Sequence, residues 1–367
     1  MVDEPGEPGE PSGAEDEPSE APSDSKREQA SKPPARRRWW WWLLSVTTVL
    51  YGLGAVAAVV MVFVYVDDWW VATLLGYLPR WPTLLPLIVL LPATLLSRRY
   101  VLATALTVTG LVLGGPFLGF STKIRAPGFD DSAPTVRVVT FNMANQPLQG
   151  DWLDRWTGEL QPDVLAMQEC RDHLLPDLPE RYELLQAGDF CLASRYPAKL
   201  VDQGWLTDAH DSGYIALFEV ELSAGPLAVF VVHLRTVRPG IEALMYERFD
   251  GLDDMAENTR LRDRESELAR AWVDRHREAR PTAHAIVVGD FNLIGQSRIF
   301  RDHWGDFSDA WRCGLGYGDT KHTRWHGVRI DHVIMAEPVR CEFATVGESI
   351  GSDHSSVVVD LRLESGS

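Results

Sequence analysis

The 367-residue chain has no aromatic residue before Trp39, no charge between Trp39 and Val66, only four cysteines and no Cys-x-x-Cys pair. Each gap excludes something. A stretch of Pro, Glu, Ser, Gly, Asp and Lys without aromatics buries too little surface to offset its chain entropy, so residues 1–38 are expected to form a disordered tail. The lack of closely spaced cysteines argues against a structural zinc site. A basic excess is also missing, because residues 126–367 carry 24 Lys and Arg against 40 Asp and Glu. So acidic a segment repels a polyanion at long range, which disfavours sequence-independent gripping of nucleic acid; a bound cation would alter the local field.

The uncharged run begins after Arg36 to Arg38 with four tryptophans, Trp39 to Trp42, and ends at Asp67 and Asp68. About 20 apolar residues cross a bilayer, and indole rings favour its interface. The run exceeds that length and lacks a small-residue cleavage site, so it is expected to span rather than to be removed as a signal peptide. A second apolar segment, Pro82 to Leu96, contains Pro86 and Pro92, and after Arg98 and Arg99 a third runs from Tyr100 to Phe120. The expectation is three transmembrane helices within residues 39–122. Arginines flank one side and Asp67 and Asp68 the other, so the positive-inside bias puts the tail in the cytoplasm and residues 126–367 outside the plasma membrane. All four cysteines fall in that external part, where disulfides are permitted. Four cysteines allow three pairings, and closeness in sequence favours Cys170 with Cys191 and Cys313 with Cys341.

Within residues 126–367, apolar runs repeatedly end in polar residues. Ile286 to Leu293 reads IVVGDFNL, a β-branched run that surfaces at Gly289, Asp290, Phe291 and Asn292. Asp290 offers a carboxylate that can take a proton from water. Asn292, two residues on and so on the same face of an extended chain, offers an amide for a phosphoryl oxygen. TVRVVTFNMAN ends a strand at Asn142, PDVLAMQEC ends one at Gln168 and Glu169, and LAVFVVHLRT carries His233 after its apolar run. FCLASRYPA and GYIALFEVEL read as further strands, and DWLDRWTGEL as a helix between the first two. Residues 242–258 read as a loop or broken helix, followed by a helix with a solvated charged face from which Arg260 or Arg262 could reach a phosphate. In VRIDHVIM, Asp331 and His332 interrupt a strand, and in ESIGSDHSSVVVDLRL, Asp353 and His354 precede the last one. A cation to polarise the phosphoryl group, a carboxylate near the attacking water and an imidazole beside the growing charge are what phosphate ester hydrolysis requires.

FNMAN, PDVLAMQEC, VVHL, VVGDFN, RIDHVIM and GSDHSSV, in this order, resemble the endonuclease/exonuclease/phosphatase superfamily over residues 134–364. The resemblance implies an α/β fold, a four-layered DNase I-like sandwich of two packed β-sheets flanked by helices. It implies that Glu169, assisted by Asn142 and Asp353, binds Mg²⁺ or Mn²⁺. Asp290 would orient or deprotonate the attacking water, Asn292 and His233 would contact phosphate, and His354, oriented by Asp331, would stabilise the transition state. Some members carry an aspartate two residues after the first asparagine, where this chain has Ala144; a second metal position does not follow. Three spans before such a domain also resemble membrane proteins linked to teicoplanin resistance, which act on a lipid-carrier phosphate outside the cell. The expectation is therefore a membrane-anchored, divalent-metal phosphoesterase acting on a lipid-linked or other small phosphate ester outside the cytoplasm, with no obligate protein partner. The alternatives are an external nuclease acting on DNA or RNA, and a non-catalytic binding or sensing protein on the same fold.

Overall fold

Alternation along the strands decides the layering. In the computed structural model, which describes residues 35–123, 134–146, 155–171, 178–208, 212–281 and 283–364, Val136 and Val138 join one apolar cluster while Val139 and Phe141 join another. The same split separates Val229 and Val231 from Ala228, Phe230 and Val232. Successive side chains of a strand face opposite ways, so both sheets are buried on both faces.

The strands are β1 (Ser121–Thr122), β2 (Thr135–Asn142), β3 (Val164–Gln168), β4 (Glu183–Ala187), β5 (Phe190–Ser194) and β6 (Ala198–Trp205). They continue with β7 (Tyr214–Leu222), β8 (Gly225–His233), β9 (His284–Asp290), β10 (Ser308–Asp309) and β11 (Leu315–Gly316). Last come β12 (Lys321–His322), β13 (Gly327–Val328), β14 (Asp331–Met335), β15 (Val339–Val346) and β16 (Val357–Leu363). One sheet is ordered β15-β16-β2-β3-β5-β4, the other β10-β14-β9-β8-β7-β6. Only β2–β3 and β8–β9 pair in parallel within them. Between the sheets, Val138, Ala166 and Leu192 meet Phe218, Val231, Val288 and Val333. Ala269 and Val273 of helix α6 (Leu252–Glu278) and Trp304 of α7 (Arg298–Trp304) cover the outer face of the second sheet. Trp156 and Tyr182 pack on the outer face of the first. This is the expected sandwich of two sheets flanked by helices.

Several local expectations change. Residues 242–258, a loop or broken helix by sequence, take the broken-helix form: α5 (Arg238–Glu247), a 3₁₀ turn (Arg248–Gly251) and α6 follow one another. Close packing of the two helices stabilises them, for a Cβ on Gly240 would meet the Met255 sulfur at 2.6 Å. Strands β4 and β6 are additional, and both are edge strands. The helix expected over DWLDRWTGEL is a short π-helical turn at Arg155–Leu160, with residues 151–154 outside the described residues. The expected disordered tail likewise lies outside them as far as residue 34. Cys170 bonds to Cys191 and Cys313 to Cys341, joining the end of β3 to β5 and a 3₁₀ turn (Ala310–Cys313) to β15.

The chain divides into two units between Leu43 and Leu44. In the first, residues 35–43 are helical and Trp39, Trp40 and Trp42 are exposed. Among the described residues, two helical stretches are long and apolar enough to cross a membrane, Arg38–Val64 with 27 residues and Tyr100–Leu118 with 19. At about 1.5 Å per residue both cover the roughly 30 Å hydrocarbon core or nearly so. The second expected span, Pro82 to Leu96, lies in the stretch Trp81–Leu96, which meets α2 (Trp70–Tyr77) at 87°, and the pair makes a third crossing only if counted as one broken span. Within that stretch, α3 (Leu85–Leu96) is 12 residues long. Arg99, just before α4 (Tyr100–Gly114), donates to Ser45 Oγ of the first apolar helix at 2.8 Å.

Candidate active site

Strand β9 is buried along its whole length, and Gly289 lets it come close enough to its neighbour to end in a site. Its φ is 130°, and a Cβ there would lie 2.1 Å from the Val232 carbonyl oxygen, so no other residue fits. Register then does the gathering. His233 pairs with Asp290 across β8–β9, and Asp290 with Asp331 across β9–β14. Asn142 pairs with Gln168 across β2–β3, which puts Glu169 just beyond the strand end. The polar tips of both sheets meet at one end of the sandwich.

There the Asn142 amide nitrogen bridges the sheets, donating to Glu169 Oε1 at 3.1 Å and to Asp290 Oδ2 at 3.0 Å, while its oxygen accepts from Ala144 N–H at 2.8 Å. His233 Nε2 lies 3.8 Å from both Glu169 Oε1 and Asp290 Oδ2. His354 Nε2 is also 3.8 Å from Asp290 Oδ2, and its Nδ1 is 2.9 Å from Asp331 Oδ2. Asn292 is tied to the same carboxylate, its N–H donating to Asp290 Oδ1 at 2.8 Å, and its side-chain amide donates to Leu234 O at 2.8 Å. Glu169 (φ 54°) and Asn292 (φ 50°) both hold left-handed backbone, which non-glycine residues rarely adopt and which tends to persist where function fixes it.

Asp353 lies at the rim of this cluster. Its side chain is 49% exposed and paired with Lys321, and its nearer oxygen is 3.9 Å from His354 Nε2. Both arginines of the charged helix are engaged in ion pairs. Arg260 is exposed and paired with Glu257, and Arg262 is buried. The sequence reading also missed three supporting residues. Asn145 donates to Glu169, Ser352 donates to the Asn142 carbonyl at 2.7 Å and accepts from His354 N–H, and Thr320 accepts from Asp331 N–H at 3.1 Å. Asn145 and Ser352 sit inside the strings FNMAN and GSDHSSV, so their polarity beside a strand end was the available signal.

Burial, followed by the neighbouring Asp331 charge, pushes the Asp290 carboxyl above the usual aspartate range. Burial works against Asp331 too, but the His354 imidazole, with Thr320 and His332, outweighs it and lowers Asp331. Burial likewise disfavours a charged His354, and the Asp331 and Asp290 carboxylates overcome it and raise the imidazole to about 9. His354 is therefore a cation at neutral pH, next to a carboxylate that holds its proton more readily than usual.

The donor set suits a hard divalent cation. Asp290, Asp331 and His354 have potential ligand atoms within 4.8 Å of one another, and the imidazole would have to give up its proton to serve as one of them. Asp331 Oδ1 is buried without a hydrogen-bond partner. Glu169 adds a carboxylate 23% exposed on its side chain, which shares the Asn142 amide nitrogen with Asp290. Oxygen-rich, carboxylate-based ligand sets suit hard divalent cations.

Two sheets of the DNase I type with Asp, His, Asn and Glu gathered at one end define a phosphoric ester hydrolase. Residues 139–354 match the Endonuclease/Exonuclease/phosphatase family, and the chain belongs to it. Among solved structures the chain is similar to an endonuclease/exonuclease/phosphatase family protein of Bacteroides thetaiotaomicron, at 14% identity over 64% of this chain and 99% of that one, TM-score 0.46. It is similar to D. rerio TDP2 complexed with a single-strand DNA product, at 16% identity over 64% and 100%, TM-score 0.47. A mannosyl-6-phosphatase of B. thetaiotaomicron is also similar, at 17% identity over 62% and 100%, TM-score 0.44. These likenesses carry no argument about substrate. No curated protein matches the chain.

Proposed function

We propose that the protein is a membrane-anchored, Mg²⁺- or Mn²⁺-dependent phosphoesterase that hydrolyses a lipid-linked or other small phosphate ester outside the cytoplasm. One observation carries the reading: Tyr77, from the segment that follows the first apolar helix, donates a hydrogen bond to the main-chain carbonyl of Asn292 at 3.2 Å. A site tied in this way to a membrane helix stays near a bilayer-borne substrate, and tethering raises its effective concentration. The acidic balance of residues 126–367 fits a site that grips no long polyanion. Three passes with a cytoplasmic tail accord with Arg99 returning to the Ser45 end of the first helix, and two disulfides accord with an oxidising compartment.

In this reading Glu169, with Asn142 and Asp353 nearby, holds the cation, which when bound polarises a phosphoryl oxygen. Asp290 orients the attacking water and takes its proton as the new P–O bond forms and the ester P–O bond breaks; its raised affinity for a proton suits that role. Asn292 and His233 hold phosphoryl oxygens. The His354 cation, fixed by Asp331, faces the negative charge that builds on the five-coordinate transition state. The test is incubation of the full-length protein in detergent with Mg²⁺ and either a polyprenyl pyrophosphate or plasmid DNA. Phosphate release from the lipid that is lost in Asp290→Ala supports the reading, whereas nicked plasmid with an untouched lipid overturns it.

A further inference from the structure

Behind the site lies a buried polar network that the chemistry above does not use. Arg262 of α6 and Asp67, from the segment between α1 (Ala35–Val64) and α2, have side chains 1% and 0% exposed and are joined at 2.9 Å. Asp67 also accepts from the Ser297 hydroxyl, which caps α7 by accepting from Phe300 N–H. The second guanidinium nitrogen of Arg262 donates to the Tyr77 hydroxyl and, at 3.3 Å, to the Asn292 carbonyl oxygen. Tyr77 in turn donates to that same carbonyl. The segment is fastened at both ends, since Arg298 pairs with Asp68 at 2.7 Å and His326 Nε2 lies 2.9 Å from the Tyr77 carbonyl.

A buried ion pair adds little stability over apolar residues of the same shape, so its presence calls for a geometric reason. Asn292 supplies one. Its left-handed backbone is held on one side by Asp290 and Leu234, and its carbonyl is held on the other by two donors, one from α2 itself and one locked by Asp67. We propose that Tyr77 and Arg262 are positioning residues that fix the pose of Asn292, making the segment between the first two apolar helices a working part of the phosphoesterase site. The proposal rests on the function proposed above for the role of Asn292. It explains why a catalytic sandwich would be built around its own membrane linker: without residues 66–77, that strained turn would lose the Tyr77 donor and the Asp67 anchor of Arg262.

The experiment compares the wild type, Tyr77→Phe, Arg262→Lys and Asp290→Ala as full-length proteins in lipid nanodiscs. Turnover of bis(p-nitrophenyl) phosphate with Mn²⁺ is measured together with backbone amide exchange. Arg262→Lys keeps a cation against Asp67 but cannot fork to both Tyr77 and the carbonyl. The expected result is a roughly tenfold fall in kcat for Tyr77→Phe and Arg262→Lys with KM within about twofold, and faster exchange confined to residues 290–294. Unchanged exchange at those residues, or a uniform rise across the sandwich accompanied by a lower Tm, overturns the proposal. If the wild type shows no turnover sensitive to Asp290→Ala, the proposed function falls, and the exchange comparison still decides the positioning role.

Discussion

Asp290 and Asp331 are register partners on the antiparallel strands β9 and β14, so two buried carboxylates stand side by side on one face of the sheet. His354 Nδ1 engages Asp331 and its Nε2 lies 3.8 Å from Asp290, so one imidazolium answers two negative groups. The acidic tips are therefore crowded beyond what folding alone would favour, which is the expected signature of a site shaped by chemistry.

Replacing Asp290 by Asn separates function from stability. Its folded-state affinity for protons is raised, so the ionised group destabilises the metal-free protein above pH ~4, the unfolded aspartate range. Asp290→Asn should abolish turnover by a factor of about 10³ or more while raising the melting temperature in chelator by a few degrees. A lower melting temperature would contradict the crowding described above.

The His354 pair gives the opposite pH dependence. With a folded pKa of about 9 against an ordinary value of 6.5, its stabilisation is fully present below pH ~6.5 and is lost as the pH rises through about 9. The loss is roughly 3 kcal/mol for a pair this buried. Melting curves in chelator should fall between pH 7 and 10 for the wild type and stay nearly level for His354→Asn. Parallel slopes for both proteins would show that the imidazole is not the group responsible.

Gly289→Ala tests the close approach of β8 and β9. The added Cβ would sit 2.1 Å from the Val232 carbonyl oxygen, at a φ of 130° that side chains other than glycine avoid. Destabilisation of about 3 kcal/mol or more is expected, read as a loss of more than about 10 °C in melting temperature. A change under about 1 °C would mean that the strands can part at no cost.

What the sequence disclosed and what it hid follow from the same physics. Strand ends at Asn142, Glu169, His233 and Asp290 were legible because an apolar run that stops at a polar residue marks a rim. Strands β4 and β6 were not, because an edge strand needs no continuous apolar run, and AKLVDQGW alternates irregularly between half-buried and exposed positions. Arg262 read as a solvated helix charge because its partner, Asp67, lies 195 residues earlier in the chain. No local pattern carries such a contact. Asp353 was singled out by its neighbour His354, and its pairing with Lys321 of the β12–β13 ribbon was not legible in the sequence.

That last difference separates the proposed metal ligands. Glu169 is partly enclosed and hydrogen-bonded by Asn142 and Asn145, which orient its carboxylate, whereas Asp353 is half exposed and already neutralised by a lysine. An oriented carboxylate loses less freedom on binding a cation, and supporting groups of this kind commonly tune affinity 10- to 100-fold. Mn²⁺ titration followed by electron paramagnetic resonance should show at least a tenfold weaker dissociation constant for Glu169→Gln and less than a threefold change for Asp353→Asn. Equal losses in the two variants would place the cation between the β2–β3 tips and the GSDHSSV loop, and Lys321 would then have to release Asp353 for the ion to bind.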